Sequence, residues 1–210
     1  MTRLLLVSGS TADTSVQTAA LRTVARCAPD GMTVTRYDGL RGLPAFVPGE
    51  RPVPEAVVRL RQQVGDADAV VFSTPEYAGS LPGALKNLLD HLVAGGELGG
   101  KPVAWLSVSA PGHDDGARAA LETVLGHGNA RLLRAVCVRV PLVPQAVDEY
   151  GYVTDPQLHL ASLDMLGALS RSLTDPRSRP QPSWQAYSSL YPQVQRSVDR
   201  PTFGTGASYF

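Results

Sequence analysis

Hydroxyl side chains crowd the segment Ser8-Gly9-Ser10-Thr11-Ala12-Asp13-Thr14-Ser15, which joins an apolar run at Leu4 to Val7 to a helical pattern beginning near Ser15. Backbone N–H groups and hydroxyls at a helix start are suited to cradling a phosphate. The same residue types also cap ordinary helices, so Ser8, Ser10, Thr11 and Ser15 support both readings. The dinucleotide fingerprint GxGxxG is absent. A near match to a phosphate-binding P-loop, Gly95 to Lys101, fails because Pro102 stands where a hydroxyl residue is needed and the segment precedes a strand. A single phosphate group is therefore the better candidate ligand for the first loop.

A second cluster, Thr74-Pro75-Glu76-Tyr77-Ala78-Gly79, lies between a strand pattern and the helical leucines 81, 85, 88 and 92. Pro75 supplies a rigid bend, Tyr77 a flat aromatic and Gly79 a backbone position open to close approach. Such a loop suits a flat ligand, although Tyr77 is equally suited to covering the edge of a sheet. The third cluster, Ser109 to Gly116, again opens a helix and contains Ser109, Gly112 and His113. His113 has the chemistry of a general acid and also that of an ordinary solvated loop histidine; Glu76 is open to the same two readings. Arg22 and Arg118 are expected on solvated helix faces, and His91, His127 and His159 have no evident partners. There is no GxSxG elbow, no HExxH and no Cys/His clustering, so a bound cofactor would have to supply reactivity.

Positioning these loops requires alternating strands and helices. The sequence predicts strands at Leu4 to Val7, Thr33 to Tyr37, Ala69 to Phe72, Val103 to Val108 and Leu132 to Val140. Helices are expected at about 15–27, 54–64, 81–92, around Ala117 to Leu125, and at about 156–173, with Ser80 as a cap and Pro82 in the first turn of the third. Five strands each followed by a helix imply a parallel sheet covered on both faces. Ligand loops at the C-terminal ends of such strands converge on one crevice.

The chain has 210 residues, 43% of them hydrophobic and 18% charged, enough for one domain with a substantial core. Nineteen basic and nineteen acidic residues cancel, which argues against nucleic acid or an anionic membrane as partner. No apolar stretch is long enough to span a membrane, and MTRLLLVSGS reads as a strand entering a loop, without the marks of a signal peptide. A cytoplasmic location is expected. Cys27 and Cys137 are read as buried free thiols.

Residues 175–210 differ in kind from 1–174, holding five of the 17 prolines together with Trp184, Tyr187, Tyr191, Phe203, Tyr209 and Phe210. Proline-rich tails are commonly disordered, whereas so many aromatics favour packing on the chain's own domain or on a partner subunit. Both readings stay open.

The opening SGST…S loop, the block TPEYAGSLPGALKNLLDHL and the block GKPVAWLSVSAPGHDDGARAAL together resemble the NADPH-dependent FMN reductase family, over about residues 3–172. The resemblance implies a flavodoxin-like α/β three-layer sandwich with a five-stranded parallel sheet in the order 2-1-3-4-5. It implies hydride transfer from NADPH or NADH to bound FMN, then to a flavin, quinone or similar small acceptor. By the same resemblance, Ser10 and Ser15 hold the FMN phosphate, with Ser8 and Thr11 in the same loop. Thr74, Pro75, Glu76, Tyr77, Ala78 and Gly79 line the ring and ribityl chain, and Ser109, Gly112 and His113 border the ring. A homodimer or dimer of dimers is also implied. Two departures stand out: the family usually carries an arginine where this chain has Ala12, followed here by the carboxylate of Asp13, and an asparagine where it has Ala78. Losing a cation beside a phosphate predicts FMN binding weakened by about 1–3 kcal/mol. Two other readings are a flavodoxin-like electron carrier and a flavin-free structural or assembly descendant.

Overall fold

The computed structural model describes residues 1–174, so the expectations for residues 175–210 lie outside the described residues. Leu4 and Leu6 enter one apolar cluster while Leu5 and Val7 enter another. The apolar run Leu4 to Val7 is thereby buried on both faces, since successive side chains point to opposite sides. It lies in β1, Thr2–Ser8, at the centre of the sheet.

The other strands are β2 (Met32–Tyr37), β3 (Ala69–Ser73), β4 (Pro102–Ser107), β5 (Arg131–Leu132) and β6 (Val138–Arg139). All pairings are parallel, and the order is β2-β1-β3-β4-β5, with β6 also on β4. The expected flavodoxin-like order 2-1-3-4-5 is the one found. Among the described residues, five helices cover the faces: α1 (Val16–Arg26), α2 (Glu55–Asp66), α3 (Gly83–Gly95), α4 (Asp115–His127) and α5 (Pro156–Thr174). Ala20, Leu21 and Val24 of α1 share one cluster with Leu158, Met165 and Leu169 of α5. Leu60, Leu85, Leu88, Leu121 and Leu125 bring α2, α3 and α4 to the other. Among the described residues, no helix is long and apolar enough to cross a membrane.

Two sequence expectations are corrected. The single strand expected over Leu132 to Val140 is two short strands separated by a 3-10 turn, Arg134–Val136. Leu132 faces Val103 and Val138 faces Leu106, so the outer strand carries extra residues that β4 cannot pair. The turn absorbs them and buries Val136 completely. Ser80 does not cap α3. Pro82 occupies the cap position without a side-chain bond, and Ser80 lies two residues before it, its backbone paired with Tyr77 in both directions at 3.0 Å.

Several side chains also find partners that local sequence conceals. Cys27 Sγ lies 3.3 Å from His159 Nδ1, and burial pushes the Cys27 thiol up. His91 is buried, with Nε2 3.1 Å from Pro44 O and its ring edge-on to Phe46. Cys27 is buried as expected, whereas Cys137 is only half-buried. Arg118 is drawn over the Trp105 ring at 5.1 Å instead of into solvent.

Candidate functional site

The loops after β1, β3 and β4 leave the same edge of the parallel sheet, and backbone contacts lock them together. Gly9 N–H donates to Ser73 O at 2.8 Å. A Cβ on Gly9 would collide with the Thr74 hydroxyl, so glycine is what lets the first loop abut the second. A Cβ on Gly116 would likewise strike the Gly79 carbonyl, which is how the second and third loops meet.

In the first loop, Ser15 is the N-cap of α1: its Oγ accepts Thr18 N–H at 3.1 Å and donates to Thr18 Oγ1 at 2.8 Å. Its hydroxyl is thus engaged inside the chain. Ser8 Oγ is 2.9 Å from Thr18 Oγ1 and accepts the Ser10 N–H, while Ser10 Oγ accepts the Ala12 N–H. The N–H groups of Thr11, Asp13, Thr14, Val16 and Gln17 find no acceptor among the described residues. Free donors at a helix N-terminus favour an anion. Asp13 is exposed and pairs with Arg41 at 3.5 Å.

In the second loop, Tyr77-Ala78-Gly79-Ser80 is a tight two-residue turn. Ala78 (φ 51°) and Gly79 (φ 72°) are both left-handed, and Tyr77 and Ser80 exchange both backbone bonds. These are the marks of a type I′ turn, for which Asn-Gly is the preferred pair. Ala78 is therefore a position whose first demand is conformational. The turn projects Tyr77 with 54% of its surface exposed. Thr74 is buried, with its hydroxyl donated to Pro75 O at 3.0 Å. Glu76 turns away from the rim, its Oε2 accepting Ala117 N–H at 2.9 Å.

The third loop is anchored from below. Asp114 is buried, accepting Ser107 Oγ at 2.5 Å and Arg139 Nη2 at 2.8 Å. Arg139 also reaches Asp115 at 3.1 Å, and Arg118 bonds the same carboxylate at 2.6 Å. Those hydrogen bonds hold Asp115 below the usual carboxylate range. Ser109 is half-buried; Gly112 and His113 are exposed, and His113 N–H donates to Ala110 O at 3.1 Å. The His113 side chain has no partner among the described residues. Sequence reading missed Asp114, Ser107 and Arg139. Arg139 comes from β6, a strand whose register was not legible.

Similarity to known proteins is consistent with this edge. An NAD(P)H-dependent FMN reductase of Pseudomonas aeruginosa is 38% identical over 112 residues, covering 51% of this chain and 60% of the relative. A quinone reductase of Escherichia coli is 35% identical over 121 residues, covering 55% of this chain and 64% of the relative. The chain thus matches less than two thirds of the length of these curated relatives. Among solved structures, the flavoenzyme NAD(P)H:(acceptor) oxidoreductase FerB of Paracoccus denitrificans superposes with a TM-score of 0.68 at 23% identity, covering 81% of this chain and 98% of that one. That likeness establishes the fold. Residues 2–144 match the family described as NADPH-dependent FMN reductase, and this stretch contains all three interlocked loops. The chain belongs to that family.

Proposed function

We propose that the protein is an NAD(P)H-dependent, FMN-containing oxidoreductase that passes reducing equivalents from NADPH or NADH to a flavin, quinone or similar small acceptor. The observation that carries this reading is the set of N–H groups in the first loop without acceptors, beside a tyrosine projected on a rigid turn. The residues present fit the cofactor. Ser8, Ser10, Thr11 and the loop N–H groups would hold the phosphate, with Ser15 shaping the loop through its cap. Thr74, Pro75, Tyr77, Ala78 and Gly79 would line the ring and ribityl chain. Ser109, Gly112 and His113 would border the ring, and Glu76 would act by fixing the third loop.

When bound, FMN supplies the hydride and electron chemistry that no side-chain constellation here offers. The protein's part is to position: its loops are locked before a ligand arrives, so the geometry costs little to impose. The names of the two relatives, an FMN reductase and a quinone reductase, support the same class of donor and acceptor. A homodimer or dimer of dimers and a cytoplasmic location belong to this reading.

The test is the visible absorption of the purified chain, titration with FMN, and anaerobic mixing with NADPH or NADH followed by a simple benzoquinone. Flavin absorption that bleaches with the nucleotide and returns with the quinone supports the proposal. A colourless protein that takes up no added FMN overturns it in favour of a flavin-free role. Tight FMN with negligible nucleotide oxidation overturns it in favour of an electron carrier. Light scattering of the same sample tests the dimer.

A further inference from the structure

The first loop contains no cation, yet a small pocket of about 60 Å³ beside it is walled by Ser8, Ser10, Thr18 and Arg22 together with the ion pairs Arg36–Asp38 and Arg41–Asp13. That is space for about four oxygen-sized groups, which suits a tetrahedral anion and is too small for an aromatic ring.

The hydroxyls of this pocket have protons to spare. Ser10 Oγ accepts the Ala12 N–H, and its own proton has no acceptor among the described residues. Ser15 donates to Thr18, and Ser8 and Thr18 share one further bond. Whichever of those two donates, the other hydroxyl proton is left over. Ser8, Ser10 and Thr18 are each more than nine-tenths buried. Buried donors without acceptors are costly, and a multivalent acceptor placed here would satisfy them together.

The charges distinguish the three arginines around the pocket. Arg36 is bonded to Asp38 at 2.6 Å and Arg41 faces Asp13 at 3.5 Å. Arg22 has no acidic partner among the described residues, and its guanidinium rests against the Gly151 backbone. On α1, positions 15, 18 and 22 share a face, and helical side chains lean toward the N-terminus. Arg22 therefore continues the row of Ser15 and Thr18 and lines the pocket.

We propose that Arg22, from outside the loop, supplies the counter-charge to the flavin phosphate that the reading above places at the first loop. The assignment rests on the FMN reading above and deepens it.

The test compares binding of FMN, riboflavin and inorganic phosphate to the full chain and to Arg22→Gln, by calorimetry. Riboflavin carries the ring without the phosphate, so it reports the rest of the site. Arg22→Gln is expected to weaken FMN roughly ten- to hundredfold, the worth of one charge-assisted hydrogen bond, and to leave riboflavin unchanged. Inorganic phosphate is expected to compete with FMN and not with riboflavin. Arg22→Met keeps the aliphatic stem and removes the charge, and takes the place of Gln should that variant fail to fold. FMN affinity unchanged in the neutral variant overturns the proposal while leaving the FMN reading intact. Equal losses for FMN and riboflavin also overturn it, since the effect then lies outside the phosphate. Phosphate that binds without displacing FMN assigns the pocket to a separate anion and overturns it too. A wild-type chain that binds neither flavin overturns both this proposal and the reading beneath it.

Discussion

The Glu76 carboxylate accepts the Ala117 N–H at 2.9 Å, so the loop after β3 provides the N-terminal cap of α4. Asp114 holds the cap position by sequence but makes no capping bond, because its carboxylate is drawn down to Ser107 and Arg139. Glu76→Ala is expected to lower stability by about 1 kcal/mol, the usual worth of a cap. Glu76→Gln keeps an acceptor and is expected to lose less than half of that. Urea unfolding of the three proteins measures the difference; an alanine variant as stable as the parent would remove the capping role.

Arg139 neutralises a buried carboxylate, with side chains 21% exposed for Arg139 and 3% for Asp114. Removing one partner of such a pair is costly because the other charge stays buried. Arg139→Met is expected to lose about 3 kcal/mol. The double variant with Asp114→Asn is expected to lose less than the sum of the single changes, a coupling that a double-mutant cycle reads directly. Additive losses would mean that the two groups do not depend on each other.

Ala78 pays for a left-handed backbone without the benefit of glycine or asparagine. An L-residue there costs about 1–2 kcal/mol, which asparagine largely avoids. Ala78→Asn is expected to stabilise the protein by about 1 kcal/mol, raising Tm by about 2–4 °C for a domain of this size. Ala78→Val is expected to lower it. A thermal scan in which asparagine is neutral and valine harmless would contradict the turn assignment.

Two groups set opposite limits of pH. Burial pushes Tyr37 up to about 12 from its ordinary 10.0, so the folded chain keeps a proton that the unfolded chain releases. Stability from this group is complete below the ordinary value and declines as pH rises from about 10 to about 12. Asp115 is held low by hydrogen bonds from Arg139 and Arg118. Its contribution is complete above the ordinary carboxylate value and is lost as pH falls through the lower folded one. Tyr37→Phe is expected to flatten the alkaline limb of a denaturation-versus-pH curve and Asp115→Asn the acid limb. Limbs that persist in both variants would place the titration elsewhere.

Strands β1 and β3 were legible because both of their faces are buried, which leaves an unbroken apolar run in the sequence. The segment from Leu132 to Val140 carries the same signal for a different reason. Val136 is buried from within a 3-10 turn, and apolar content alone does not tell a turn from a strand. The three loops were legible from their hydroxyl, glycine and proline residues. The partners of Glu76 and Cys27 were not, because they lie 41 and 132 positions away and only the fold brings them together. Arg22 reads as a surface helix residue until α1 is set beside the first loop and its row of hydroxyls.

At the Gly79–Gly116 junction the two turns meet main chain to main chain, and the Glu76 carboxylate stands beside the contact. The second and third loops are consequently pinned to each other by backbone and by one carboxylate. A guest that settles there orders side chains such as the exposed Tyr77, not the backbone of the joined turns.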